Sequence, residues 1–340
     1  MVDDHKENNE VLTDAEAELY DRQLRLWGSE AQSRLRASRI LLIGLNGLGA
    51  EAAKNIILSG VKSITFLDHR NSSEVDKCSQ FLIADYNGKN RAEESVQRAQ
   101  ALNPMVNVIA DTDNVDNKPD KYFGQFDIVC ATQCSITQLK RINQACRKQN
   151  IKFFATDVWG FGFGYVFIDL QKHEYIVDVS TVKKAKPESG EPMIKEKFET
   201  ITVNEKRTDT FVPFESILNV PKSVLHKNEI VYYIMQIMLN YREKYGDDLV
   251  IENHENLSNE VSAIVEKYKL PEDHYVVKCK DSDFIPFKNS APLSPSSSIL
   301  GGILAQEVIK AASQKHAPVN NLFTFNPCTF EGKVLTLNQK

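Results

Sequence analysis

The sequence predicts a doubly wound α/β fold with a smaller helical insertion, and three observations carry that prediction. Short apolar runs alternate with helical periodicity between residues 39 and 156, a glycine-rich turn follows the first run, and an aspartate ends the second. The first run, residues 40–43, opens onto Gly44-Leu45-Asn46-Gly47-Leu48-Gly49. Helical spacing through Ala52, Ala53, Ile56 and Ile57 then stops at Gly60, a residue suited to the left-handed turn after a helix. The second run, 64–67, closes on Asp68, and a right-handed crossover places both strands side by side in a parallel sheet. The alternation continues with a helix over 91–102 halted before Pro104 and strands at 106–110 and 126–131. A helix over 136–149 and a strand at 151–156 follow. Aromatic residues and Gly160, Gly162 and Gly164 then crowd 153–167, implying tight turns or close backbone approach in a core or an interface.

Four segments follow from composition. Residues 1–19 read as a mobile polar tail running into a short helix, with Thr13 as cap and Glu16 three residues later. Residues 20–175 form the main α/β domain, 176–291 a linker and helical insertion, and 292–340 a return to the first domain. Within the insertion, 181–197 is rich in Lys, Glu, Pro and Ser and reads as a flexible connection, whereas 230–243 and 257–268 are helical. The Pro/Ser stretch 291–297 leads into a helix over 299–312, and strands at 322–326 and 333–337 rejoin the sheet. Small residues on that last helix (Gly301, Gly302, Ala305, Ala311, Ala312) suit close packing, either inside this chain or against a partner.

Bulk properties exclude several functions. A net charge of -5, with Lys and Arg interleaved among acids, leaves no basic footprint for nucleic acid. No apolar run reaches the roughly 20 residues that span a bilayer, and the opening residues lack a signal peptide's apolar stretch, so an intracellular location is expected. Cysteines at 78, 130, 134, 146, 279 and 328 include no C-x-x-C pair and read as reduced thiols, with no metal site.

The glycine turn has the context of a dinucleotide-binding Rossmann-like loop: a strand before it, a helix after it, and Asp68 ending the next strand. Its second glycine position, however, is Asn46, whose side chain occupies space that a phosphate needs against bare backbone. Gly44 and Gly49 still suit the turn and close helix packing, and Gly47 lies between them, so the loop reads as structural, its ligand lost. An NAD-dependent dehydrogenase is the alternative; the loop and Asp68 are its whole support, since no His, Lys and Asp constellation for hydride transfer follows.

Five blocks occur in order: Tyr20-Asp21-Arg22-Gln23-Leu24-Arg25-Leu26-Trp27-Gly28, the glycine loop, Gly88-Lys89-Asn90-Arg91-Ala92, Leu102-Asn103-Pro104, and Gly301-Gly302-Ile303-Leu304-Ala305-Gln306-Glu307. Together they resemble the adenylation domains of the ubiquitin-like-protein activating enzymes, relatives of bacterial sulfur-carrier adenylyltransferases, over about two-thirds of the chain. The opening block, with Arg34-Leu35-Arg36-Ala37-Ser38 and Asn103-Pro104-Met105-Val106, is most similar to the SUMO-directed branch.

The resemblance implies an asymmetric pair of Rossmann-like adenylation halves of which this is the pseudo-active one. ATP and Mg2+ would be bound by a larger catalytic subunit, with SUMO as the modifier and a conjugating enzyme downstream. Where the active half carries S-N-L-N-R-Q-F, this chain has Asp76-Lys77-Cys78-Ser79-Gln80-Phe81; the family's next lysine is Arg91, and its magnesium-binding Asp has no counterpart near Gln133. A pocket short of cations is therefore expected. In the family the Arg of the N-terminal block reaches the partner's ATP, which makes Arg22 an arginine finger in trans; the alternative is a charged helix face on which Arg22 pairs with Asp21 or Glu18. The acceptor cysteine is implied on the larger subunit, leaving Cys279, between Lys278 and Lys280, without that role. Nuclear residence, with some cytoplasmic, is a further implication. A subunit for another ubiquitin-like protein, or a purely structural binding module, are the alternative functions.

Overall fold

Residues 13–86, 88–184, 198–225, 229–246, 254–278 and 292–337 are described by a computed structural model. Residues 1–12 of the expected tail, residues 185–197 of the expected connection, and Cys279 lie outside them. Thr13 caps the first helix, α1 (Asp14–Leu19), in a reciprocal capping box with Glu16, and α2 (Asp21–Trp27) and α3 (Ser29–Ala37) follow. The order continues as β1 (Arg39–Ile43), α4 (Gly47–Leu58), β2 (Ser63–Leu67), α5 (Arg91–Leu102), β3 (Asn107–Asp111), β4 (Ile128–Thr132), α6 (Ile136–Lys148), β5 (Lys152–Trp159) and β6 (Phe163–Asp169). Then come β7 (Lys172–Lys184), β8 (Phe198–Thr210), α7 (Ile230–Tyr245), α8 (His254–Tyr268), α9 (Tyr275–Lys278), α10 (Ser294–Ser313), β9 (Leu322–Asn326) and β10 (Glu331–Leu335).

One eight-stranded sheet has the order β10-β9-β6-β5-β4-β1-β2-β3. Strands β3, β2, β1, β4 and β5 run parallel, and β6, β9 and β10 extend the sheet antiparallel. The strand order reverses between β1 and β4, so the loops leaving those two strands flank the crevice where doubly wound folds place ligands. Side chains alternate along β1: Leu41 and Ile43 join a core shared with α6, α7 and α8, while Ile40 and Leu42 join a second core under α4, α5 and α10. Both faces are thus covered, as the continuous apolar runs of the parallel strands require. The aromatic and glycine-rich stretch is the β5–β6 hairpin, with Phe153, Phe154, Phe163, Tyr165 and Phe167 fully buried in core.

Two expectations need correction. Residues 181–184 are not a flexible connection; they end β7, which pairs with β8 over thirteen residues in a separate two-stranded ribbon. Residues 294–297 are not a connecting stretch either. They form the first turn of α10, where Pro295 is tolerated because the first helical N–H groups have no intrahelical partner. The helices expected in an insertion share one hydrophobic cluster with the sheet. No helix among the described residues is long and apolar enough to cross a membrane.

Candidate functional site

The loop between β1 and α4 keeps its conformation for identifiable reasons. Gly44 has φ +83, and a Cβ there would come within 2.3 Å of the Thr132 hydroxyl oxygen. A Cβ at Gly49 would fall 2.3 Å from the Gly44 carbonyl oxygen, so this position permits the helix to close on the turn. Asn46 caps α4, its Oδ1 accepting from the Gly49 N–H at 2.9 Å.

The space that a nucleotide would need is filled from inside. Asp68 is buried; its Oδ2 accepts from the Leu45 N–H at 2.7 Å and its Oδ1 from the Arg70 N–H at 2.9 Å. A loop amide that would face a phosphate thus already has an anionic partner. Ser79 packs over Gly47 so tightly that a Cβ there would meet its side-chain oxygen at 1.9 Å. Gln80 is fully buried and holds the loop from the other side, donating to the Leu45 carbonyl at 2.9 Å and to the Ser95 hydroxyl at 3.1 Å.

Against the expectation of a pocket short of cations, Arg70 lines it, and Arg91 is buried within 3.7 Å of Asp68 in its wall. Both are engaged. Arg91 is buried and forks onto Asp76, with Nη2 at 3.1 Å from Oδ1 and Nε donating to Oδ2 at 3.1 Å; its Nη1 lies 3.7 Å from Asp68. Gln133, at φ 52, accepts from Arg91 at 3.1 Å and from Arg70 at 2.9 Å through one oxygen. A cavity of about 40 Å³ is bounded by Gly44, Asp68, Arg70, Thr132, Gln133 and Cys134. That is small against the several hundred Å³ of a typical small-molecule site.

Thiol chemistry finds no support beside it. Cys134 is buried, and desolvation pushes its thiol up to about 12 despite Arg242 and Arg70 nearby; burial pushes Cys130 up as well. Arg242 instead donates to the Cys134 carbonyl and pairs with buried Asp157. Among the described residues no group of three or more His, Cys, Asp or Glu side chains gathers as a metal site.

Arg22 lies elsewhere. Helix α2 abuts the far end of α4, where Gln23 donates to the Leu58 carbonyl at 3.0 Å, whereas the glycine loop is at α4's start. Twelve residues of helix separate those ends by about 17 Å. On the same helix Asp21 pairs with Arg25 at 3.0 Å. Arg22 is exposed, and among the described residues no hydrogen bond or ion pair engages it. Beside it lies a groove of about 460 Å³, lined by Gln23, Leu26, Trp27, Leu58, Gly302 and Ala305 among others, with Leu26 66% exposed. The small residues of α10 mostly serve the core: Gly301 presses on α4, where a Cβ would sit 2.7 Å from that of Glu51, while Gly302 has open space.

What sequence reasoning missed are the roles of Asp76, Gln32 and Asn103, each defined by a partner more than ten residues away in the chain.

Comparison with known proteins gives the family and the fold. Residues 20–340 match the ThiF family. SUMO-activating enzyme subunit 1 of Xenopus laevis is 42% identical over 344 residues, covering 97% of this chain and 98% of that protein. Its Homo sapiens counterpart is 40% identical, with 97% of each covered, and that of Danio rerio 40%, with 98% of each. Among solved structures, PaaA superposes with a TM-score of 0.56 at 14% identity, covering 95% of this chain and 84% of its own. Escherichia coli MccB gives 0.55 at 12%, covering 94% and 71%; both likenesses concern the fold. With the family matched from α2 to the end and relatives aligned over nearly their whole length, the chain belongs to the ThiF family.

Proposed function

We propose that this chain is the non-ATP-binding subunit of a heterodimeric SUMO-activating enzyme. A larger partner binds ATP and Mg2+ and carries the acceptor cysteine; the pair adenylates the C-terminus of SUMO, forms the thioester, and passes it to a conjugating enzyme. The observation that carries this reading is the crevice itself: loop amide, cations and volume are consumed by Asp68, Arg91, Asp76 and Ser79, which leaves catalysis of adenylation to another chain. Arg22, which no hydrogen bond or ion pair engages among the described residues and whose helix docks on the far end of α4 from the glycine loop, supports a role on a partner's ATP, where a fixed guanidinium stabilises charge developing on the phosphates as pyrophosphate leaves. The groove beside it, with Leu26 exposed, suits coverage by that partner. Nuclear residence, with some cytoplasmic, belongs to the same reading.

Reconstitution tests it. ATP–pyrophosphate exchange with SUMO is measured for this chain, for the larger subunit and for the two at equal concentration. The expected result is exchange from the pair and none from this chain; exchange by this chain alone contradicts the reading.

A further inference from the structure

The C-terminus of α4 is held by side chains from three separate places. Its last carbonyls have no intrahelical donors. Ile57 O accepts from Asn103 Nδ2, Leu58 O from Gln23 Nε2 and Ser59 O from Gln32 Nε2, each at 3.0 Å. Asn103 Nδ2 also donates to the Tyr20 hydroxyl at 2.9 Å. The Tyr20 ring is buried and lies on Gly60, where a Cβ would come within 2.5 Å of its Cζ. Gln32 in turn accepts from Trp27 Nε1 at 3.0 Å, so both ends of α2 are tied to the same terminus.

Helix α2 has seven residues, and isolated helices need about 12–15 to be even marginal in water. Its orientation thus comes from this docking. Arg22 stands between Tyr20 and Gln23, and the Arg25–Asp21 pair occupies the neighbouring carboxylate that would otherwise draw the guanidinium down.

We infer that Tyr20 and Gln23 are positioning residues for Arg22: by clamping α2 onto the end of α4 they fix where the guanidinium is presented to the partner. This rests on the trans role of Arg22 given above. Stabilisation by a fixed charge requires placement within a fraction of an ångström, and displacement of about 1 Å costs up to about 10²-fold in rate.

The test is a double-mutant cycle in the full-length chain assembled with the larger subunit at saturating partner, read as ATP–pyrophosphate exchange. Gln23→Ala removes the Leu58 bond while leaving an ordinary helical residue, and Tyr20→Phe removes only the Asn103 bond. Gln23→Ala is expected to lower kcat about tenfold, with the KM for ATP within about twofold. Tyr20→Phe is expected to act in the same direction, and in an Arg22→Ala background neither has further effect. Equal losses with and without Arg22, or no loss from Gln23→Ala while Arg22→Ala is severely impaired, overturn the clamp. So does a Gln23→Ala loss that appears only below saturating partner, which would make it a docking effect. If Arg22→Ala itself leaves exchange unchanged, the trans role fails first and the clamp with it.

Discussion

Arg22→Ala in the assembled enzyme lowers ATP–pyrophosphate exchange on the order of 10³-fold, the size of effect that trans-acting arginines produce in phosphoryl transfer. The reasoning is geometric before it is chemical. The guanidinium is exposed, Asp21 is committed to Arg25, and the helix that carries Arg22 is fastened to the wrong end of α4 to serve its own crevice. Among the described residues truncation removes charge from no ion pair, so the folded chain and its assembly are expected to persist. Co-sedimentation of the pair beside the exchange assay separates the two effects. Arg22→Lys restores activity only in part, because an ammonium supplies a point charge where a guanidinium supplies a fork. Unchanged exchange in the alanine variant is the outcome expected of a purely structural module.

Arg91→Ala acts on the fold, costing about 3–5 kcal/mol, as expected when one partner of a buried ion pair is removed. Asp76 and Asp68 have side chains only 3% exposed, and Arg91 is the cation that faces both. Asp68 keeps its two backbone donors, whereas Asp76 keeps the Ser73 N–H and hydroxyl and loses its cation. Urea unfolding of the two forms at neutral pH gives the difference directly, and a loss below about 1 kcal/mol, typical of exposed pairs, would show that the network is not a buried one.

The first half of the sheet was legible in the sequence because its signals are local. An apolar run, a glycine turn and a helical period between Ile40 and Leu67 define one βαβ unit, and Asn46 marks the departure from a phosphate loop within six residues. The pocket's charge balance was not legible. Losing Asn and Arg from the 76–81 block suggested missing cations, but Asp76 supplies an acid in the same block that only the fold brings to Arg91, fifteen residues on. The β7–β8 ribbon was half hidden because its far end is exposed on both faces, Val182 being 65% and Val203 43% exposed, so polar composition masked the strand pattern. The turn of α10 at 294–297 read as a loop because serine and proline favour both loops and helix starts. The convergence of Tyr20, Gln23, Gln32 and Asn103 spans 83 residues from Tyr20 to Asn103 and has no local signature.

Equilibrium titration of the isolated chain with Mg-ATP, followed by its thermal unfolding midpoint, tests the filled crevice most directly. Any ligand that binds only the folded state stabilises it, by about 2.7 kcal/mol at 100 times its Kd. With Asp68 on the Leu45 amide, Arg91 on Asp76 and about 40 Å³ left, the midpoint is expected not to move at millimolar nucleotide. A saturating rise at micromolar Mg-ATP, abolished by Arg91→Ala, would mean that the crevice opens to hold a triphosphate and that this chain binds nucleotide itself.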